Sequence, residues 1–479
     1  MRDARAMPST TRGIEHFAGR SAGGFAALLF AGAVLVAVLA AGPVEAVDQL
    51  VAVQVNALVA PHPALVDGLL VVTALGATPT AAVVLSTLVA VLLIRHRARL
   101  AAYVAVTALG GAALSPALKA LFGRLRPVLP EPVTQAGGPS FPSGHTTTVT
   151  IMIGVMLLVL LPAVPARRRR AVTIAGIGVV VLVGLTRIAL GVHFVSDVLA
   201  GWLLGAAWVA LTATAFRDWR RATGRPPLPV DRGLEPEAGP DLVPAPEHEP
   251  PSTPWLRAAR LLVGAVLVLA ALLGAGWLLT QAEPGTPVAD GDLAVVRWLA
   301  EQRTPAVDAG SVWAADLGAT IPVITLGLVA ATLAAAVLRR WWPVLLLAVA
   351  LVGELALFLT TAMIIDRPRP PVSHLDAALP PTSSFPSGHA GAAICLYGGV
   401  ALIVFVSTRA WWRWPVVAAA VALVITVALA RLYRGAHYPT DVLGSVLLAL
   451  PWLLMVARVV KPPTRSAHEA TRQPRIRTR

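Results

Sequence analysis

Gly138-Pro139-Ser140-Phe141-Pro142-Ser143-Gly144-His145 is a polar, glycine-bearing stretch wedged between two long apolar runs, and Ser384-Phe385-Pro386-Ser387-Gly388-His389 repeats most of it. In each copy an Arg-Pro pair lies upstream (Arg126-Pro127, Arg369-Pro370), and an arginine, a histidine and an aspartate follow downstream at identical spacing (Arg187, His193, Asp197; Arg431, His437, Asp441). The register holds beyond these blocks: Leu75-Gly76-Ala77-Thr78 recurs at 317–320, and from there to His437 the offset between copies stays between 242 and 244. One arrangement is written twice in the chain.

The 479 residues are 56% hydrophobic and only 13% charged, with the apolar residues gathered in runs of about twenty rather than in amphipathic stripes. This is the composition of an integral membrane protein. A net charge of +14 would point to nucleic acid in a soluble protein, but here the arginines sit in short loops between apolar runs, where the positive-inside rule accounts for them. The single Cys395, inside an apolar run, excludes a disulfide framework within one chain and reads as a small core residue. The first apolar run, about 23 to 46, is too long for a cleaved leader and reads as a membrane anchor.

Arg2, Arg5, Arg12 and Arg20 place the N-terminus on the cytoplasmic side. Residues 47–67, with Asp48, Pro61, Pro63 and Asp67, read as a short interfacial segment, and a second span ends near Ile94 before Arg95, Arg97 and Arg99. A third span reaches about Phe122, a fourth runs from the Pro-Ser-Gly-His stretch to the Arg167–Arg170 quartet, a fifth ends near Arg187, and a sixth covers about Asp197 to Phe216. Residues 222–254, rich in Pro, Glu and Asp, cannot bury enough surface to fold alone and read as a disordered cytoplasmic linker. Further spans are expected near 260–280, 311–338, 343–365, 387–407, 415–432 and 441–458, ahead of a basic tail at 461–479. The expected fold is all-α: membrane domains at 1–221 and 255–460, each a six-helix bundle, giving about twelve spans. An even number of spans per copy makes this a parallel repeat, with both polar sets facing away from the cytoplasm and both termini inside. Trp202, Trp341, Trp342, Trp411, Trp412 and Trp414 read as interface anchors.

In the first copy Lys119, Arg126, Ser143, Gly144, His145, Arg187, His193 and Asp197 fall at the same ends of four expected spans. Ionisable groups at membrane depth are costly and mark function, and Lys119 is one of only two lysines in the chain. Two forked guanidinium groups, a lysine point charge and a helix N-terminus that glycine leaves open form a site for a tetrahedral oxyanion. His193 and Asp197, four apart, allow the carboxylate to hold one ring proton and leave the other nitrogen free to attack phosphorus. His145, across the anion, can protonate the leaving oxygen. No carboxylate or cysteine cluster offers a metal site.

These three blocks resemble the signature of the type 2 phosphatidic acid phosphatase, or lipid phosphate phosphatase, superfamily, and the resemblance covers nearly all of both halves. It implies a cofactor-free, metal-independent phosphatase acting on a membrane lipid phosphate or polyprenyl diphosphate within the bilayer. His193 would be the nucleophile, Asp197 its orienting partner, His145 the general acid, and Lys119, Arg126, Ser143, Gly144 and Arg187 the phosphate ligands. In the second copy the same roles fall to His437, Asp441 and His389, with Arg369, Ser387, Gly388 and Arg431 on the phosphate.

The second copy departs from the pattern. Ala362 stands at the lysine position and Ala430 where the first copy has Thr186, itself a replacement for the family's usual serine. Arg367 is no substitute for the lysine, because Arg124 already occupies the equivalent place in the first copy. Asp366, beside Arg367, reads as a local ion-pair partner. A six-plus-six transporter and a non-catalytic lipid-binding module are the alternatives. The sequence carries no signal for oligomeric state.

Overall fold

The structure, a computed structural model, describes residues 42–134, 136–224, 232–243, 254–282, 284–376, 379 and 383–460. The chain divides into two compact units, Met1–Val243 and Pro244–Arg479. The apolar run expected at about 23–46 lies almost wholly outside the described residues, and the basic tail entirely so.

The first unit opens with α1 (Gly42–Val59) and α2 (Pro63–Thr73). The stretch expected to be an interfacial segment, 47–67, lies in these two helices, which are bent by 120° at the turn between them. Pro61 and Pro63 explain the bend: each biases its preceding residue away from helical angles, and Pro63 then sits in the first turn of α2, where a missing N–H costs nothing. A short 3-10 turn leads to α3 (Thr78–Ile94), then come α4 (Ala98–Phe122), α5 (Gly144–Leu160), α6 (Ala166–Ala189) and α7 (Val195–Ala222). Gly123 ends α4 in the left-handed region at φ 59°, its N–H bonded to the Lys119 carbonyl at 3.0 Å.

Helix α5 packs against α4, α6 and α7, and its Val149, Val155 and Val159 are fully buried with Leu92, Leu100, Val104 and Val183 around them. Leu109, Ile174, Ile177, Leu185 and Leu203 point outward and remain exposed, as lipid-facing side chains do. The 3-10 turn lies against α5 through Gly76, where an added Cβ would fall 2.7 Å from Val183 and 2.9 Å from the His145 carbonyl. Gly318 repeats this contact against the His389 carbonyl at 2.7 Å.

Residues 232–243 correct the disordered-linker expectation for that stretch; 225–231 and 244–253 lie outside the described residues. The Leu234 N–H donates to the Leu158 carbonyl at 2.9 Å, Leu234 and Ala238 are buried, and Gly239 fits against Pro162. Arg97 pairs with Asp241, and Arg220 with Glu237 at 2.9 Å. A segment too polar to build a core is held by arginines at the helix ends.

The second unit comprises α8 (Pro254–Thr280), α9 (Pro287–Glu301), α10 (Pro305–Asp316), α11 (Thr320–Leu338), α12 (Trp342–Ile364), α13 (Gly388–Ser407, with a π turn over Ile394–Gly398), α14 (Arg413–Tyr433) and α15 (Pro439–Val460). The span expected at 311–338 is broken at Gly318, so that its first residues belong to α10; α9 is absent from the sequence reading, and α9 and α10 correspond to α1 and α2. Thr286 and Thr304 cap them, each accepting a backbone N–H at 3.4 Å. Trp342 is buried rather than an interface anchor, whereas Trp411 and Trp414 are exposed.

Among the described residues ten helices are long and apolar enough to cross a bilayer, or up to eleven if α1 and α2 count as one bent span. The count of about twelve included the run at 23–46 and α3. The latter has 17 residues, or about 26 Å of helix against roughly 30 Å of hydrocarbon.

The close approach at Gly76 generates a test. Gly76→Val should destabilise the protein by about 1–3 kcal/mol and lower its thermal midpoint in detergent, while Gly178→Ala, inside α6 with nothing within 4 Å, should not lower it.

Candidate active site

In the first unit the sequence-singled residues meet at one end of α4, α5, α6 and α7. Lys119 occupies the last turn of α4, and a Cβ added at Gly144 would stand 3.9 Å from its Nζ, so the glycine keeps the space beside the ammonium open. Ser143 precedes α5 without capping a backbone N–H, and its Oγ accepts from Thr146 Oγ1 at 2.9 Å, which leaves the serine proton to donate elsewhere. Half-buried His145 interacts electrostatically with Arg187, His193, Lys119 and Arg126.

Arg126 is held by carbonyls: Nε donates to Gly138 at 2.9 Å, Nη2 to Gly137 at 3.0 Å and Nη1 to Val192 at 2.6 Å. Its Nη1 also faces His193 Nε2 at 3.4 Å. A guanidinium can only donate, so Nε2 carries the lone pair and the proton belongs on Nδ1, which faces Asp197 Oδ2 at 3.4 Å. Burial, opposed by the Asp197 carboxylate, pulls His193 down to about 4, so the ring is neutral near pH 7. Burial also lowers Arg126, again against Asp197. Arg187 donates from Nη1 to Thr73 Oγ1 at 2.8 Å, while its buried Nε has no partner. The Thr186 hydroxyl does not face the anion space. It donates to the Val183 carbonyl at 2.6 Å within its own helix.

The second unit brings its residues together with different electrostatics. His437 Nδ1 donates to the Ser384 carbonyl at 2.7 Å and stands 3.7 Å from Asp441. Burial, opposed by Asp441, lowers this histidine as well. Arg369 Nη1 donates to the Ala436 carbonyl at 2.8 Å, and Ser387 Oγ has no partner. Beside Gly388 the Phe358 ring lies 3.0 Å from where a Cβ would sit, at the position where the first unit has Ser115. Arg431 Nη1 donates to Asp376 Oδ2 at 2.9 Å, and Arg434 Nε to Asp376 Oδ1 at 2.7 Å. Burial pushes the Asp376 carboxyl up, but the bond from Arg434 and the charge of Arg431 outweigh it and hold it below the usual range. A carboxylate of the chain itself thus sits on the arginine equivalent to Arg187.

Several residues of this site escaped the sequence reading. Arg124 Nη1 donates to Asp197 Oδ1 at 2.8 Å and Nη2 to Asp48 Oδ2 at 2.9 Å. In the second unit Arg367 joins Asp441 to Asp292, the latter at 2.7 Å, and is not paired with Asp366 as expected. Asp48 and Asp292 do stand 244 apart, the offset of the site histidines, and that shared register is the signal that could have found them.

Comparison with known proteins places this geometry in context. A family model described as PAP2 superfamily matches residues 99–221 and 324–465, together more than half of the chain. Phosphatidylglycerophosphatase B of Bacillus subtilis is 39% identical over 95 residues, which are 19% of this chain and 46% of that protein. Lipid A 1-phosphatase of Rhizobium johnstonii is 39% identical over 77 residues, 16% of this chain and 28% of that protein. The chain therefore spans less than half the length of either relative. A crystal structure of a transmembrane PAP2-type phosphatidylglycerolphosphate phosphatase from Bacillus subtilis aligns with a TM-score of 0.34 at 22% identity, covering 45% of this chain and 97% of that one.

The buried histidine sets a pH dependence. Between about pH 4 and 6.5 an unfolded His193 binds a proton that the folded ring refuses, so its contribution to stability is complete above about 6.5 and is lost as pH falls towards 4. The contribution is on the order of 3 kcal/mol. Thermal unfolding in detergent from pH 7 to 4 should show a steeper fall for the wild-type chain than for His193→Gln, and parallel curves would contradict the assignment.

Proposed function

We propose, since the chain belongs to the PAP2 superfamily, that its first unit hydrolyses a membrane lipid phosphate through a phosphohistidine on His193. The observation that carries this reading is the His193 ring itself, with Nδ1 turned to Asp197 and Nε2 turned to the cationic space of Arg126. The phosphoryl group binds between Arg126, Lys119, the free Nε of Arg187, the Ser143 hydroxyl and the first-turn N–H groups of α5. The Nε2 lone pair attacks phosphorus, the bond to the lipid oxygen breaks, and that oxygen takes a proton from His145. Asp197 stabilises the ring as its charge rises. Water then attacks the phosphorus, gives a proton to His145, and the P–N bond breaks to release phosphate and neutral His193.

The substrate class follows from the surroundings. Leu121, Leu125 and Val128, beside Arg124 and Arg126, are each more than 70% exposed and give an acyl or prenyl chain an apolar approach. The relatives' names add phosphatidylglycerophosphate and the 1-phosphate of lipid A as candidates, to be tested with phosphatidate and polyprenyl diphosphates. Polar groups at helix ends, rather than at the bilayer midplane, favour hydrolysis over transport.

The second unit is read as the weaker site. Ala362 removes the lysine, Phe358 fills the neighbouring space, and Asp376 competes for Arg431. A charge-assisted bond to phosphate contributes roughly 1.5–3 kcal/mol, or about tenfold to a hundredfold in rate if felt in the transition state. His193→Ala should therefore lower phosphate release by roughly two orders of magnitude or more and remove the acid-labile, base-stable label that radioactive substrate leaves on the first unit. The residual rate should depend on His437 and rise with Asp376→Ala or Ala362→Lys. Near-full activity in His193→Ala would defeat this division of labour.

Arg95, Arg97, Arg99, the 167–170 quartet and Arg217, Arg220 and Arg221 lie at the first unit's helix ends opposite its site, and Arg339, Arg340, Arg409 and Arg413 do so in the second unit, so by the positive-inside rule each site by itself is assigned to the extracytoplasmic face and the termini to the cytoplasm. Cysteines introduced between Arg126 and Ser140 should react with an impermeant thiol reagent in whole cells. Labelling confined to cysteines near residue 232 would reverse the topology.

A further inference from the structure

We propose that Asp48 and Arg124, with Asp292 and Arg367 as their counterparts, are positioning residues: a carboxylate–guanidinium clamp that fixes the aspartate behind each nucleophilic histidine. The proposal rests on the hydrolytic reading above. Asp197 has no solvent exposure, and both its oxygens are assigned. Oδ2 accepts from the Phe194 N–H at 3.0 Å and faces His193, while Oδ1 accepts from Arg124 at 2.8 Å. The other fork of Arg124 donates to Asp48, which also accepts the Ser196 N–H at 3.1 Å and the Ser196 hydroxyl. Phe194 begins α7 with no side-chain acceptor to offer. Asp48 therefore supplies, from α1, the cap that the sequence of α7 lacks. The Arg124 guanidinium stands 4.3 Å over the Phe194 ring.

The second unit repeats the arrangement with two of its residues changed. Arg367 joins Asp441 to Asp292, Asp292 accepts the Thr440 N–H at 3.1 Å and the Thr440 hydroxyl, the Tyr438 N–H donates to Asp441 at 2.7 Å, and the guanidinium lies 4.5 Å over the Tyr438 ring. Serine has become threonine and phenylalanine tyrosine, while the aspartate and arginine are retained. Both aspartates lie outside the regions matched by the family, which begin at 99 and 324. Neither arginine is free to bind phosphate, since both forks are engaged and the Arg124 and Arg367 carbonyls accept from Ser140 at 2.8 Å and Ser384 at 2.9 Å. The clamp acts on the anion only through the aspartate and the histidine ring.

The test uses the full chain in detergent micelles, with short-chain phosphatidate as substrate and orthovanadate as the probe of the anion site. Arg124→Gln and Asp48→Asn should each lower kcat by about tenfold to a hundredfold, with the orthovanadate inhibition constant within about threefold of wild type, as a lost or weakened hold on Asp197 slows attack without removing an anion ligand. In Arg124→Gln the acid limb of kcat should also move to higher pH, because Asp197 then favours a protonated His193 without an opposing guanidinium. The double variant should fall no further than Arg124→Gln alone, since both changes act on one contact. Unchanged kcat, additive losses, or a tenfold weakening of orthovanadate inhibition each overturn the clamp. If Arg124→Gln does not fold, Asp48→Asn carries the same readouts. A wild-type chain that releases no phosphate defeats the hydrolytic reading, whereas wild-type turnover that survives Arg124→Gln defeats the clamp alone.

Discussion

A carboxylate with no access to water must be met on every side, because an unpaired buried charge costs several kcal/mol. Asp197 and Asp441 are such carboxylates, and the architecture around each follows from that demand. A backbone N–H takes one oxygen and a guanidinium the other. The guanidinium then needs a second anion, supplied by α1 or α9, and that anion is steadied by an amide left open at the start of the next helix. The series ends when every member has a partner. It ties together elements that apolar packing alone would leave free to slide.

Much of this was legible in the sequence. Apolar runs of span length give the long helices, because a bilayer of fixed thickness imposes that length on any sequence. The polar blocks could be placed at helix ends because charge is tolerated there and not elsewhere. Helices α1 and α9 and the bounds of α2 and α10 were missed for the complementary reason: the composition around them is mixed, and they are held by side-chain bonds such as Asn56 to the Glu131 carbonyl at 2.8 Å and Arg303 to the Ser373 carbonyl at 2.7 Å. Contacts between residues some seventy positions apart leave no periodic trace. Arg124 was visible but could not be distinguished from a surface arginine, since its role depends on Asp48. Ala430 looked like a defect until Thr186 was seen to spend its hydroxyl on its own helix.

The two units show how far one backbone plan constrains chemistry. Both hold a neutral histidine with the lone pair on Nε2, both place a serine and a glycine at the start of the following helix, and both retain the arginine of the Arg-Pro pair. They differ in what surrounds the anion space. The first presents an ammonium and an arginine bonded to a threonine hydroxyl, while the second presents a phenyl ring and an arginine bonded to an internal carboxylate. Helix positions are set by packing and by the clamp, so the pocket lining can change sign without altering the fold.

The position of Asp48 also bears on how such a chain arose. Its partner Asp292 keeps the same 244-residue offset as His145 to His389 and Asp197 to Asp441, although the family match in each half starts some thirty to fifty residues later. An ancestral copying event limited to the matched core would have produced a second half whose Arg367 had only one carboxylate to hold. The segment that was doubled must therefore have reached upstream of the core to include the helix that carries the aspartate. In this chain the repeated module is accordingly longer than the stretch by which its family is recognised.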